Sequence, residues 1–108
     1  MVSKVIPLLI AIVLSLSACA EKSSYHERII VIDPGHGGID PGAIGSTSGT
    51  LEKEVVLRTG LALRDQLQAT GRYQVVMTRA DDRMVGLRDR VQIASQSLGE
   101  LFVSLHAD

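Results

Sequence analysis

The chain has 108 residues, a length that limits it to at most one domain. Its formal net charge is −1. Its charges are mixed in sign and form no basic stripe that would neutralise a phosphate backbone. Aromatic residues make up only 3% of the chain and tryptophan is absent, so nucleic acid is not an expected partner.

The first part of the chain carries the pattern of a secretory signal. Lys4 precedes an apolar run over residues 5–16, and small residues follow this run. The run is shorter than the roughly 20 apolar residues that a membrane-spanning helix needs. We therefore expect residues 1–20 to be a signal peptide that directs export and takes no part in the folded core.

Two types of cleavage site compete at the end of this signal. The sequence LSAC at residues 16–19 resembles a bacterial lipobox, whereas ACA at residues 18–20 also fits ordinary signal cleavage. We favour the lipobox because Cys19 is the only cysteine of the chain and has no disulfide partner. A lipid on Cys19 would anchor the protein to a membrane, and the alanine after it resembles a signal for the outer membrane. Residues 21–27 would form a short linker.

From Arg28 onward, the periodicity of apolar residues predicts alternating strands and helices. We expect strands at RIIVID (28–33), YQVVMT (73–78) and LFVSL (101–105), and helices at 51–70 and roughly 86–98. Thr50 is the expected N-cap of the first helix, and Gly71 and Gly99 are expected to end the two helices. This order is typical of an α/β fold with a parallel or mixed open sheet and helices on both faces.

Two histidines follow strands at the same edge of the predicted sheet. His36, within DPGHGG, follows the first strand, and His106 follows the third. Ligands of open α/β sheets bind beyond the carboxyl ends of the strands, and the first helix begins near this edge with Glu52 and Glu54. Two histidines and one carboxylate form a common catalytic zinc site with a fourth position for water. From this pattern alone, a plain glycine-rich turn with unliganded histidines is an equal alternative.

Three motifs, in this order, resemble those of the zinc-dependent N-acetylmuramoyl-L-alanine amidases of bacterial cell walls. They are IVIDPGHGGIDPGAIG, LEKEVVL and LFVSLHAD, and the resemblance covers about residues 28–108. It implies that His36, Glu52 and His106 bind Zn²⁺ and that Glu54 is a solvated acid. It also implies hydrolysis of the amide between N-acetylmuramic acid and the L-alanine of peptidoglycan stem peptides, in cell-wall turnover or daughter-cell separation.

Residues near these ligands are expected to support them. Gly35, Gly37 and Gly38 would give the loop backbone conformations that other residues avoid. Asp33 and Asp108 are candidates for orienting the two imidazoles through hydrogen bonds.

The resemblance also implies a domain longer than this sequence. Family members continue past the HAD motif with further strands and helices and a glutamate general base, so we expect the base beyond Asp108. Residues 28–108 would then be the N-terminal half of a larger three-layer catalytic domain that is truncated in this sequence. Unpaired apolar strand edges predict that the isolated chain is poorly stable or aggregates.

Three hypotheses follow. The leading one is an exported zinc amidase that acts on peptidoglycan in the periplasm or cell envelope, with a lipid anchor at Cys19. The second is a catalytically inactive lipoprotein that keeps the zinc-binding fold and binds peptidoglycan, which the missing base favours. The third is an exported α/β domain whose histidines bind no metal.

Overall fold

The computed structural model describes residues 27–108, which form a parallel sheet of three strands with two helices. The elements, in chain order, are β1 (Arg28–Pro34), α1 (Glu52–Ala69), β2 (Tyr73–Met77), α2 (Leu87–Gln96) and β3 (Leu101–Leu105). The predicted alternation of strands and helices is therefore confirmed. The predicted signal peptide, Cys19 and the first six residues of the predicted linker lie outside the described residues.

β1 is the central strand of the sheet, which has the order β2-β1-β3. It pairs in parallel with both neighbours, and Ile30 lies opposite Val75 of β2 and Leu101 of β3. Val31 and Ile32 are completely buried, as a continuous β-branched run predicts for a strand covered on both faces. β3, in contrast, is exposed at three of its five positions, because within residues 27–108 nothing pairs with its outer edge.

The two helices cover opposite faces of β1. Gly60 of α1 packs closely against Ile32 and Pro34, whereas Gly99, just after α2, packs against Val31. Successive residues of a strand point to opposite faces of the sheet, so these contacts place α1 and the end of α2 on opposite sides. The prediction of helices on both faces is confirmed.

α1 starts without a capping side chain. Its N-cap is Leu51, not the predicted Thr50, and no side chain there bonds to the first turn. The amide of Glu52 instead donates to the carbonyl of Ala43 at 2.9 Å. Because the preceding loop satisfies this amide, the helix does not depend on a hydroxyl cap.

Both helices end at a residue with left-handed backbone geometry. Gly71 has a φ of 66° after α1, which confirms the predicted stop. After α2, Leu98 adopts a φ of 57°, so the left-handed residue precedes the predicted Gly99 by one position. The amide of Gly99 then donates to the carbonyl of Ala94 and closes the last turn.

α2 turns its apolar stripe outward. Leu87 and Val91 are 83% and 66% exposed, whereas the buried residue of this helix is Arg90. The guanidinium of Arg90 is directed at Asp33 of β1, which turns the apolar stripe away from the sheet. Neither helix between residues 27 and 108 has the length and apolar character needed to cross a membrane.

Candidate metal centre

The carboxyl ends of β1 and β3 bring the two histidines together. Pro34, at the end of β1, lies opposite Leu105, at the end of β3. The amide of Gly35 continues this pairing and donates to the carbonyl of Leu105 at 3.0 Å. His36 and His106 therefore leave the same edge of the sheet on adjacent strands, and their rings meet edge to face with centroids 5.0 Å apart.

Glu52 reaches the same point from the start of α1. Its Oε1 lies 3.1 Å from Nε2 of His36 and 3.1 Å from Nδ1 of His106. The two imidazole nitrogens are 3.2 Å apart. The three side chains that the sequence analysis singled out as ligands thus meet at one place. Glu54 does not join them, because it is exposed on α1.

Glu52 is buried but ionised. The backbone amide of Ala43 donates to its Oε2 at 2.8 Å, and that of Ala107 donates to its Oε1 at 2.9 Å. These two hydrogen bonds are the main reason that the pKa of Glu52 is lowered to about 2, and the neighbouring histidines add to the effect. The carboxylate is therefore deprotonated at neutral pH, which is the form that binds a metal ion.

Asp40 fixes the proton of His36. Its Oδ2 lies 2.8 Å from Nδ1 of His36, and because an ionised carboxylate only accepts, Nδ1 is the donor. The lone pair of Nε2 is then free on the side that faces Glu52. The hydrogen bond from His36, together with one from the amide of Gly42, lowers the pKa of Asp40. Asp40 is not among the residues predicted from the sequence, although a carboxylate four residues after a histidine in a tight loop is a usable signal.

Asp33 does not orient an imidazole, so that expectation is wrong. Its carboxylate accepts hydrogen bonds from Thr78 and Arg90, both at 2.7 Å, and from Ser104 at 2.8 Å. These three donors occupy both carboxylate oxygens and hold the group inside the sheet. Asp108 likewise forms no hydrogen bond to either imidazole within the described part of the chain.

The glycines of the loop serve two different needs. Gly37 and Gly38 have φ values of 123° and 60°, which confirms that the loop uses backbone conformations suited to glycine. Gly35 is needed for space instead, because a β carbon there would collide with the imidazole of His106. His36 itself has a φ of 60°, an uncommon conformation for a residue with a side chain.

The donor set fits a zinc ion. Ligand atoms held about 2.0–2.1 Å from a tetrahedral zinc ion lie about 3.3 Å from one another. The separations of 3.1, 3.1 and 3.2 Å between the three ligand atoms here are close to this spacing. Two imidazoles and one carboxylate are also the ligand types of catalytic zinc sites. Among residues 27–108, His36, Glu52 and His106 are the group of metal-ligating side chains close enough to share one ion.

A cavity of about 370 Å³ opens beside this cluster. Its lining includes the polar side chains of His36, Asp40 and His106 and the apolar side chains of Met84 and Leu87. A bound molecule would therefore contact both histidines and an apolar wall at the same time.

Residues 30–108 match the family model described as N-acetylmuramoyl-L-alanine amidase. The chain belongs to this family. Its amidase relatives include AmiA of Escherichia coli, which is 46% identical over 87 residues that cover 81% of this chain and 29% of that protein. AmiC of Neisseria meningitidis is 48% identical over 80 residues, which cover 74% of this chain and 19% of that protein.

Solved amidase structures share the fold. AmiC2 of Nostoc punctiforme has a TM-score of 0.71 and 44% identity, with 76% of this chain and 44% of that chain covered. The catalytic domain of CwlV, an N-acetylmuramoyl-L-alanine amidase from Bacillus (Paenibacillus) polymyxa var. colistinus, has a TM-score of 0.73 and 37% identity. In that case 75% of this chain and 45% of the CwlV chain are covered. The present chain thus spans less than half of these solved amidases and less than a third of the two curated relatives.

Proposed function

We propose that the protein hydrolyses the amide bond between N-acetylmuramic acid and the L-alanine of peptidoglycan stem peptides, with zinc held by His36, Glu52 and His106. The observation that carries this proposal is the meeting of three ligand atoms, from three separate segments, at separations of 3.1 to 3.2 Å. Membership of the amidase family supports the substrate and the reaction.

Side chains and backbone groups of this chain prepare the site for the reaction. Zinc, when bound, supplies a Lewis acid that acidifies a coordinated water and polarises the scissile carbonyl. Asp40 keeps the proton of His36 on Nδ1, so that Nε2 is free as a ligand. The amides of Ala43 and Ala107 keep Glu52 ionised and aim its Oε1 at the histidines. Each of these groups is already in place before a ligand arrives, which limits the reorganisation that binding requires.

The general base, on this proposal, lies outside the metal cluster. Within residues 27–108, the carboxylates at the cluster are Glu52, a ligand, and Asp40, which is bonded to His36. Neither is free to take a proton from water. A second candidate function, in which the protein binds peptidoglycan through this fold and zinc site without hydrolysing it, requires that no other part of the protein supplies a base.

The test compares zinc binding and hydrolysis in matched variants. His36→Ala, His106→Ala and Glu52→Gln should each weaken zinc binding by more than about 100-fold, because loss of a supporting residue alone costs 10- to 100-fold. Glu54→Gln makes the same chemical change two residues away on the exposed side of α1 and should retain wild-type binding. Zinc binding is measured by competition with a chromophoric chelator.

Release of soluble fragments from labelled peptidoglycan separates the two candidate functions. Zinc-dependent release by the wild type that His36→Ala abolishes would support the amidase. Zinc binding and retention on peptidoglycan without release would support the binding protein. A wild-type chain that binds no zinc would contradict both.

We also infer that the protein is exported and carries a lipid on Cys19, because its proposed substrate lies outside the cytoplasm and residues 16–19 resemble a lipobox. Cells that express the full chain and are grown with labelled palmitate should yield labelled protein. Cys19→Ala should remove the label, and Ser24→Ala, within the predicted linker, should leave it. A wild-type protein that is exported without the label would favour ordinary signal cleavage at residues 18–20.

A further inference from the structure

Arg79 is completely buried, although it lies only two residues after β2, an edge strand of the described sheet. Its guanidinium donates to the carbonyl oxygens of Gly35 at 2.8 Å, of Pro34 and Lys53 at 2.9 Å, and of Asp81 at 3.0 Å. Within the described part of the chain these partners are all backbone groups, and no salt bridge to Arg79 is formed. A buried cation is retained only when its donors are satisfied, so these carbonyls determine where Arg79 lies.

Arg90 reaches the same loop from α2. Its Nη1 donates to the carbonyl of Pro34 at 2.8 Å, its Nη2 to the carbonyl of His36 at 2.8 Å and its Nε to the carbonyl of Val85 at 3.0 Å. Nη1 also lies 2.7 Å from the carboxylate of Asp33. Arg79 and Arg90 together therefore bind three successive carbonyls, those of residues 34–36.

These carbonyls belong to the segment that sets the direction of His36. This residue has a φ of 60°, a conformation that residues with side chains adopt only where surrounding contacts enforce it. The two guanidiniums lie close enough for the charge of Arg90 to lower the pKa of Arg79, as burial does to a greater extent. Packing two cations side by side is unfavourable for stability, but apolar residues in the same space would leave the carbonyls of residues 34–36 without these donors. The presence of two buried arginines is explained if the loop at residues 34–36 needs several rigidly held hydrogen-bond donors.

We propose that Arg79 and Arg90 are positioning residues of the metal centre, which hold the carbonyls of residues 34–36 and thereby aim the imidazole of His36 at the other two ligands. Arg79 also binds the carbonyl of Lys53, the residue after the glutamate ligand, so one guanidinium connects two ligand-bearing segments. This proposal rests on the zinc site proposed above. It adds two residues that touch neither zinc nor substrate.

The test uses Arg79→Lys and Arg90→Lys in the full chain. Lysine keeps the positive charge but loses the planar fork of donors that binds several carbonyls at once. We expect each variant to bind zinc about 10- to 100-fold more weakly per folded molecule, as loss of a ligand-orienting group does. The visible absorption bands of the Co²⁺-loaded protein should change as well, because they report ligand geometry.

Val75→Ala is the matched control for a loss of stability alone. Val75 is half-buried in β2, on the strand that precedes Arg79 but away from the loop. This variant should unfold at lower denaturant concentration and yet keep wild-type zinc affinity and Co²⁺ bands. Arginine variants that behave like Val75→Ala would overturn the positioning role while leaving the zinc site intact. A wild type that binds no zinc would remove the zinc site and this proposal together.

A second measurement uses the wild-type chain, in case the lysine variants do not fold. The Nε–H signals of Arg79 and Arg90 in NMR spectra should exchange slowly with water and shift when Zn²⁺ is added. The Nε–H of Arg64 bonds to the adjacent Asp65 on the exposed surface of α1 and should not shift. Signals of Arg79 and Arg90 that are indifferent to Zn²⁺, while Zn²⁺ binds, would overturn the proposal.

Discussion

The guanidinium of Arg90 lies 2.7 Å from the carboxylate of Asp33, and this ion pair is buried between α2 and the central strand. The two side chains are 7% and 6% exposed. The same carboxylate accepts hydrogen bonds from Thr78, which follows β2, and from Ser104 of β3. Asp33 of β1 is therefore bonded to residues of α2 and β3 and to the residue that follows β2. α2 packs on the sheet through this ion pair, whereas its apolar stripe is exposed to solvent.

Removal of this carboxylate should destabilise the chain strongly. Asp33→Ala leaves the buried charge of Arg90 without its partner, which typically costs about 3–5 kcal/mol in the free energy of unfolding. Asp89→Ala removes an exposed acid from the first turn of the same helix and should cost less than about 1 kcal/mol. Urea unfolding followed by circular dichroism measures both, and equal losses would contradict the docking role of Asp33.

Acid should unfold the chain partly through Asp33. Burial raises the pKa of this carboxyl, but hydrogen bonds from Thr78, Arg90 and Ser104 outweigh burial and bring the pKa below its ordinary value of 3.8. At a pH between the pKa of Asp33 in the folded protein and its ordinary value of 3.8, the folded state binds fewer protons than the unfolded state. The stability that Asp33 contributes is therefore complete above pH 3.8 and is lost as the pH falls through its pKa in the folded protein.

The pH dependence is measured by urea unfolding from neutral pH down to about 2. Asp33→Asn should start from lower stability and lose less of it as the pH falls, because the titrating group is gone. Glu52, Asp40 and Asp82 also have lowered pKa values and account for the acid sensitivity that remains. A variant whose stability falls as steeply as that of the wild type would show that Asp33 contributes nothing to acid unfolding.

Gly35→Ala should damage the metal centre from outside the ligand set. The new β carbon would collide with the imidazole of His106, which must then leave its present position. We expect zinc affinity to fall by at least about tenfold, as it does when a ligand loses its orientation. Gly86→Ala, where the added carbon meets the carboxyl end of Asp89, is the control and should bind zinc normally. Wild-type affinity in Gly35→Ala would mean that His106 is free to shift without loss.

The isolated chain should self-associate through the exposed apolar side chains of α2, β3 and the turn between them. These are Leu87, Val91, Leu98, Leu101 and Phe102, which are 83, 66, 78, 53 and 42% exposed. A patch of this kind beside an edge strand favours association. Val91→Glu combined with Phe102→Glu should shift the chain toward monomer in size-exclusion chromatography with light scattering, whereas Arg58→Glu on α1 should not. A wild-type chain that is monomeric and melts cooperatively would contradict the prediction.

The fold was predictable because its signals are local. The run RIIVID is continuous and β-branched, and residues 30–34 are buried, as such a run requires in a central strand. Gly71 ends α1 because glycine tolerates the left-handed conformation. Thr50 was a reasonable cap by residue type, but the amide it would have bonded is satisfied by the loop, which no local pattern reveals.

The order of the elements and the two histidine ligands followed from the sequence pattern, whereas the choice of Glu52 over Glu54 rested on the family resemblance. Parallel strands place their carboxyl ends at one edge, so residues that follow β1 and β3 must be neighbours once the strands pair. His36 and His106 could therefore be predicted to lie together, with Glu52 and Glu54 near them at the start of α1.

The polar side chains that support the site could be identified only from the packed fold. Asp40, not Asp33, holds His36, and two buried arginines hold the loop, because these contacts depend on side-chain directions and on groups far apart in the chain. The bond from Arg90 to Asp33 joins residues 57 positions apart, and an arginine on a helix otherwise indicates a solvated face. The periodicity of apolar residues indicates which face of a helix or strand is apolar, but it does not indicate which charged side chains form a buried ion pair. The packing of the helices on the sheet determines which of these pairs form.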